Sequence, residues 1–154
     1  MVENTDSALT AEFADLISRS ERILIFTGAG VSTPSGIPDF RGFQGVWKKR
    51  KPVYFQDFQS SDEARVEYWE QKLEAYAAFC DAEPNSVHDA CVTLEQEGKV
   101  VAVVTQNVDG LHSKAGTSRG CLVEIHGTNT EIECLDCGNR YEPELYFTAF
   151  ADTH

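Results

Sequence analysis

Five consecutive residues, Val100-Val101-Ala102-Val103-Val104, constrain this chain more than any other feature. The run is apolar at every position instead of alternating, and it is built almost wholly from β-branched valine. A strand wet on one face shows period-two alternation. An unbroken apolar run of this length reads as a strand of a parallel sheet covered on both faces. A similar run, Arg22-Ile23-Leu24-Ile25-Phe26-Thr27, lies upstream and closes on Gly28. A third candidate strand spans Cys121 to His126 and ends at Gly127.

Parallel strands need long crossover connections, usually helical. The sequence between the first two runs supplies them. Val66, Trp69, Leu73, Tyr76 and Phe79 recur at helical spacing between Ser61 and Asp81, a stripe typical of core packing. Asn85 or Ser86 is placed to cap a further helix carrying Val87, Ala90, Cys91 and Leu94, with Gly98 at its stop. Ahead of the first strand, Thr10 is expected to cap a helix bearing Phe13, Leu16 and Ile17 that ends near Ser20. Residues 43–60 show no clean period, and Lys48-Lys49-Arg50-Lys51 within them reads as a solvated loop, a localisation signal being the weaker alternative because the match is only compositional. The fold class is therefore α/β with βαβ connections.

The chain has 154 residues, which suits one domain. Its 13 Lys plus Arg against 25 Asp plus Glu give a net charge of −12. That balance argues against a non-specific nucleic-acid partner, because phosphates need a positive surface. No run approaches about 18 apolar residues, so no membrane span is expected. The N-terminal segment carries Glu3 and Asp6 and lacks a basic or apolar leader pattern, so the chain is read as cytoplasmic. Five cysteines, an odd count, point to reduced thiols or metal instead of a disulfide framework.

The chemistry concentrates in the loops that follow the strands. Gly28-Ala29-Gly30 follows the first strand directly, and glycines there let backbone turn sharply and approach a pyrophosphate. Thr33 stands where the third glycine of the dinucleotide fingerprint would be, so plain turn glycines are the competing reading. Gln106, Asn107 and Asp109 cluster at the carboxyl end of the second strand, where open α/β sheets bind ligands. Turn chemistry alone also explains an Asn-x-Asp. His126, at the end of the third strand, is a core histidine, a metal ligand or a general base. The ligand reading would need Cys121, but 121 and 126 fall on opposite faces of a strand, whereas an imidazole suits proton abstraction near neutral pH. Cys134-x-x-Cys137-Gly138 matches one arm of a structural zinc site, with a redox pair as the alternative. Zinc wants four ligands, no second pair is present, and His154 is at most a third. His88 reads as structural, and His112 divides evenly between structure and site.

Taken together, Gly28 to Arg41 (GAGVSTPSGIPDFR), Pro84-Asn85-x-x-His88, Thr105 to His112 (TQNVDGLH), His126-Gly127 and Cys134-x-x-Cys137 resemble the sirtuin family of NAD-dependent protein-lysine deacylases. The resemblance implies a Rossmann-like domain over residues 1–42 and 84–130, with its first three strands, a helical insert over 43–83, and half of a small zinc module over 131–154. It implies a cradle for NAD from Gly28, Ala29, Gly30, Ser32, Gly36, Ile37, Pro38, Asp39, Phe40 and Arg41, with Arg41 facing the phosphates. Ile37 and Asp109 would hold the nicotinamide amide, Gln106 and Asn107 the ribose, and His126 would be the general base, with Asn107 also in a catalytic role. The implied partner is an acyl-lysine protein, and the products are free lysine, nicotinamide and O-acyl-ADP-ribose. Zinc is implied at Cys134 and Cys137.

Members that prefer succinyl or malonyl groups carry a Tyr-x-x-Arg pair. Trp69 and Lys72 stand near those places here; Lys72 could still meet a carboxylate, but without the bidentate fork of arginine, so acetyl or a longer apolar acyl group is expected. Segment 43–76 looks more like the subclass with a mitochondrial ADP-ribosylating and lipoamide-cleaving member. The family pattern also contains a second Cys-x-x-Cys, further strands and a Gly-Thr-Ser loop that this sequence lacks. Three expectations follow: the N-terminal part of a sirtuin, nearly inactive alone; a half-enzyme completed by another chain; or a non-catalytic zinc-knuckle interaction module. By the family's strand order, 3-2-1-4-5-6, only strands 3, 2 and 1 are present, and Arg22–Thr27 would be an exposed sheet edge.

Overall fold

A computed structural model describes residues 3–39 and 51–154. Five strands and six α-helices are defined among them. Helix α1 (Glu3–Arg19) leads into β1 (Ile23–Thr27), and two single 3-10 turns follow, Ala29–Val31 and Thr33–Ser35. Next come α2 (Phe55–Ser60), α3 (Asp62–Asp81), α4 (Ser86–Gln96), β2 (Val100–Thr105), α5 (Leu111–Ala115) and β3 (Leu122–Glu124). A small hairpin, β4 (Ile132–Glu133) and β5 (Arg140–Tyr141), precedes α6 (Pro143–Ala151).

The three long-range strands form one parallel sheet in the order β1-β2-β3. The valine run is its centre: Ile25 pairs with Val103, and Val103 with Leu122. Val103 is wholly buried. The expected Rossmann-like architecture is therefore present, with β1 at the edge. Coverage on both faces is not. Phe26, Val104 and Val123 form one cross-strand row, and Leu24, Phe26, Val123 and Ile125 are all largely exposed. Helix α4 packs on β2, but among the described residues nothing covers the Leu24–Phe26 side of β1. Continuous apolar sequence thus marks both faces as coverable, while the described residues cover one.

Local signals explain most boundaries. The Ser61 hydroxyl accepts the Ala64 N–H at 3.2 Å and caps α3. The Asn85 side chain accepts the Val87 N–H at 3.0 Å and caps α4, while Gly98 takes φ +75° just past its end. Three expectations need correction. Helix α1 begins at Glu3, so Thr10 lies in its interior; an acceptable capping residue does not start a helix when the preceding residues also favour one. Strand β3 is three residues long, so His126 lies beyond it, in the turn in which Gly127 N–H meets Glu124 O at 3.1 Å. The face argument separating Cys121 from His126 therefore does not apply to the folded chain. Finally, α2 occupies part of the aperiodic 43–60 stretch. It is held by Arg65, which donates to Phe58 O at 2.9 Å and Gln59 O at 3.1 Å. Lys48, Lys49 and Arg50 lie outside the described residues.

The aromatic stripe of α3 packs outward against α6, with Tyr76 and Trp69 ring centroids 4.3 and 5.5 Å from Phe147. A separate buried cluster of Ile37, Ala82 and Leu111, flanked by Phe79, sits beneath the strand-end loops. This cluster fixes the floor of the candidate site.

Candidate functional site

The carboxyl ends of β1 and β2 place two loops side by side. Gln106 N–H donates to Thr27 O at 3.0 Å, which fixes the point where the loops diverge. Gly28 carries the chain on in an extended conformation close to Gln106, where a Cβ would meet Gln106 Nε2 at 3.4 Å, and the turn follows at Ala29–Val31. Behind this turn, Ser32 is fully buried and donates to Asp109 Oδ2 at 2.6 Å. Asn107 Nδ2 donates to the same hydroxyl oxygen at 3.0 Å. The other Asp109 oxygen accepts the Leu111 N–H at 2.9 Å. A serine, an asparagine and an aspartate are thus joined through one hydroxyl, all removed from solvent.

One polar atom in this group has no protein partner, Asn107 Oδ1. Buried acceptors are nearly always satisfied, so an orphaned one beside a glycine-rich turn fits a hydroxyl-bearing ligand. A cavity of about 10 Å³ lies there, lined by Ala29, Ile37, Phe79, Asn107, Val108 and Asp109. It accepts the edge of a group and nothing larger. Gly30, Gly36 (φ +86°) and the exposed Pro38 continue the rim, with Asp39 half-buried. Phe40 and Arg41 lie outside the described residues.

His126 is exposed and carries no direct bond to this cluster. Two neighbouring bonds place it nonetheless. Ile125 N–H donates to Thr105 O at 3.1 Å, and Asn129 N–H to Val108 O at 2.7 Å. Ile125 and Asn129, which bracket His126–Gly127, are thereby pinned to Thr105 and Val108 on either side of Gln106–Asn107. Gln106 itself is exposed beside them. The structure thus brings Gly28, Ala29, Ser32, Ile37, Gln106, Asn107 and Asp109 together and sets His126 at their margin.

Cys134 and Cys137 lie in the β4–β5 turn, far along the chain from this cluster. Gly138 N–H donates to Cys134 O at 2.9 Å, and the N–H groups of Cys137 and Asp136 hold the Cys134 thiol below the usual thiol range. Such a knuckle fits one arm of a tetrahedral thiolate site. The described residues contain no group of three His, Cys, Asp or Glu able to hold a metal, so they supply half of that donor set. His154 stacks on Phe150 at 4.5 Å and does not join it.

Two features escaped sequence reasoning. Asn85, expected only as a cap, also donates to Val31 O and Ser35 Oγ, both at 2.8 Å, and so clamps the back of the glycine loop. Lys72 Nζ donates to Asn129 Oδ1 at 2.8 Å and sits 5.4 Å above the Tyr68 ring. Burial lowers its pKa. The Pro84-Asn85-x-x-His88 spacing signalled the first; for the second, the sequence singled out Lys72 but not the side chains it meets.

Against known proteins, residues 28–153 match the family model described as "Sir2 family". An "NAD-dependent protein deacetylase" of Rhodopseudomonas palustris is 39% identical over 92% of this chain and 56% of its own length. A structure described as "Structural Basis for the Mechanism and Regulation of Sir2 Enzymes" superposes with TM-score 0.75 at 37% identity, covering 93% of this chain and 56% of that one. A Sir2 protein solved with a deacetylated p53 peptide and 3'-O-acetyl ADP ribose gives TM-score 0.76 at 35% identity, covering 92% and 56%. The chain thus spans little more than half the length of these relatives.

Proposed function

The chain belongs to the Sir2 family, and on that premise we propose that it is the NAD-binding and base-bearing part of a protein-lysine deacylase. The observation that carries this reading is the buried Ser32–Asn107–Asp109 group with its free Asn107 Oδ1, at the strand ends where α/β sheets bind ligands. NAD would supply the ADP-ribose that receives the acyl group, with nicotinamide leaving. Asn107 and Gln106 would hold the ribose, and Asp109 and Ile37 the nicotinamide amide. Phe79 and Ile37 would exclude water from that end. Phe40 and Arg41 complete the proposed phosphate cradle with Gly28, Ala29, Gly30, Gly36, Pro38 and Asp39. His126, exposed at the margin, is free to take a proton from a ribose hydroxyl.

The acyl group is proposed to be acetyl or a longer apolar chain. Lys72 supports this, because Asn129 and the Tyr68 ring already engage its ammonium. Zinc is proposed as a structural ion on Cys134 and Cys137, its other two ligands coming from further polypeptide. The uncovered apolar face of β1 favours the same requirement for the sheet. A complementing segment, in the same or another chain, is proposed for full turnover, and the isolated chain is expected to release little nicotinamide. A non-catalytic interaction role is the second reading that this open face supports.

Calorimetry and peptide deacylation test the assignment. NAD is expected to bind, Asn107→Ala to weaken binding about tenfold or more, the loss of one good hydrogen bond to a ligand. His126→Ala is expected to spare binding and to lower whatever turnover is measured by about 10²–10⁴-fold. Unchanged binding in Asn107→Ala, or unchanged turnover in His126→Ala, overturns the assignment. Faster turnover of succinyl-lysine than of acetyl-lysine peptides overturns the acyl preference.

A further inference from the structure

Two buried histidines outside the ligand cluster are unused by the chemistry above. His88 is wholly buried and His112 nearly so, and their ring centroids are 4.9 Å apart with an edge-on inclination of 62°. Each ring has one satisfied nitrogen and one orphan. His88 Nδ1 accepts the backbone N–H of Asn85 at 3.2 Å. A backbone amide only donates, so Nδ1 is bare and the neutral ring carries its proton on Nε2. That Nε2 has no protein partner. His112 Nε2 lies 2.9 Å from Thr27 Oγ1, and its Nδ1 is the orphan. A buried donor and a buried acceptor without partners, on rings in edge contact, answer one another.

We propose that His88 and His112 are positioning residues: Nε2–H of His88 is joined to Nδ1 of His112 through one bridging water, and the pair locks Thr27, and with it the Gly28–Gly30 segment, to the cap of α4. The assignment fixes both tautomers. If Nδ1 of His112 accepts, its proton is on Nε2 and is donated to Thr27 Oγ1. The chain of contacts then runs from Asn85 N–H through His88 and His112 to Thr27. Asn85 meets the far end of the same loop through Val31 O and Ser35 Oγ. The glycine loop is thus gripped at both ends by one buried device. Asp109, which faces both rings, and Asp89, which faces His88, are the charged groups near the pair. The pairing is independent of ligand identity; its consequence for NAD rests on the proposed function.

The test is nitrogen NMR on the full chain labelled at its four histidines. His88 and His112 are expected as neutral Nε2–H tautomers at pH 8. An Nδ1–H tautomer at His112, or an imidazolium at either ring at that pH, overturns the pairing. His88→Asn keeps an acceptor for the Asn85 amide while deleting the contact to His112, and His112→Gln keeps a donor to Thr27 while deleting Nδ1. Both are expected to shift the partner ring's nitrogen resonances and to weaken NAD binding about tenfold. If the resonances shift but NAD affinity is unchanged, the positioning role is overturned. If wild-type protein itself does not bind NAD, the functional reading fails, while the tautomers still decide the pairing.

Discussion

Ser32 Oγ donates to Asp109 Oδ2 at 2.6 Å across 77 residues of sequence, and Asn107 donates to the same serine oxygen. One hydroxyl therefore joins the loop after β1 to the loop after β2. Ser32→Ala leaves a buried carboxylate oxygen and a buried amide unmet, at a cost of about 1–3 kcal/mol. Chemical denaturation is expected to show that loss, and calorimetry a parallel loss of NAD affinity. A variant as stable as wild type would show that the hydroxyl is dispensable.

Burial pushes the pKa of both His88 and His112 down, with Asp109 opposing it. As pH falls through the ordinary histidine value of about 6.5, the unfolded chain takes up protons that the native chain refuses. Stability contributed by the neutral pair is therefore complete above that value and lost progressively below it. Urea midpoints are expected to be lower at pH 5.5 than at 7.5, with a shallower dependence in His112→Gln. Equal midpoints at the two pH values in wild type would refute this.

Gly110 has φ +73°, and a Cβ there would stand 2.7 Å from Thr130 Cγ2. Gly110→Ala combines a left-handed backbone penalty of about 1–2 kcal/mol with that clash. Adding Thr130→Ser removes the offending methyl and is expected to recover the clash but not the backbone part. Full recovery in the double variant would show that the backbone conformation costs nothing.

The edge strand exposes Leu24 and Phe26 on one face, and among the described residues no further strand pairs with its outer edge. Leu24→Lys is expected to reduce concentration-dependent association of the isolated chain in sedimentation velocity, with little change in its unfolding midpoint. Association that persists unchanged would place the sticky surface elsewhere, such as the Leu9–Phe13–Leu16 stripe of α1.

The parallel sheet was legible from the amino-acid order alone, because β-branched apolar runs separated by helical crossovers admit few other arrangements. That order also determined which loops carry polar chemistry, and the ordered motifs carried the family. The α4 cap at Asn85 was legible because capping depends on neighbours two or three residues away. Other features required the tertiary structure. That Ser32 meets Asp109, that His88 lies edge-on to His112, and that Asn85 clamps the glycine loop are contacts between segments about 24 to 77 residues apart. The end of β3 before His126 and the uncovered face of β1 were likewise set by what packs against them. Local propensity fixes which way a segment bends; only the assembled chain decides which buried polar atom finds a partner and which apolar face finds a cover.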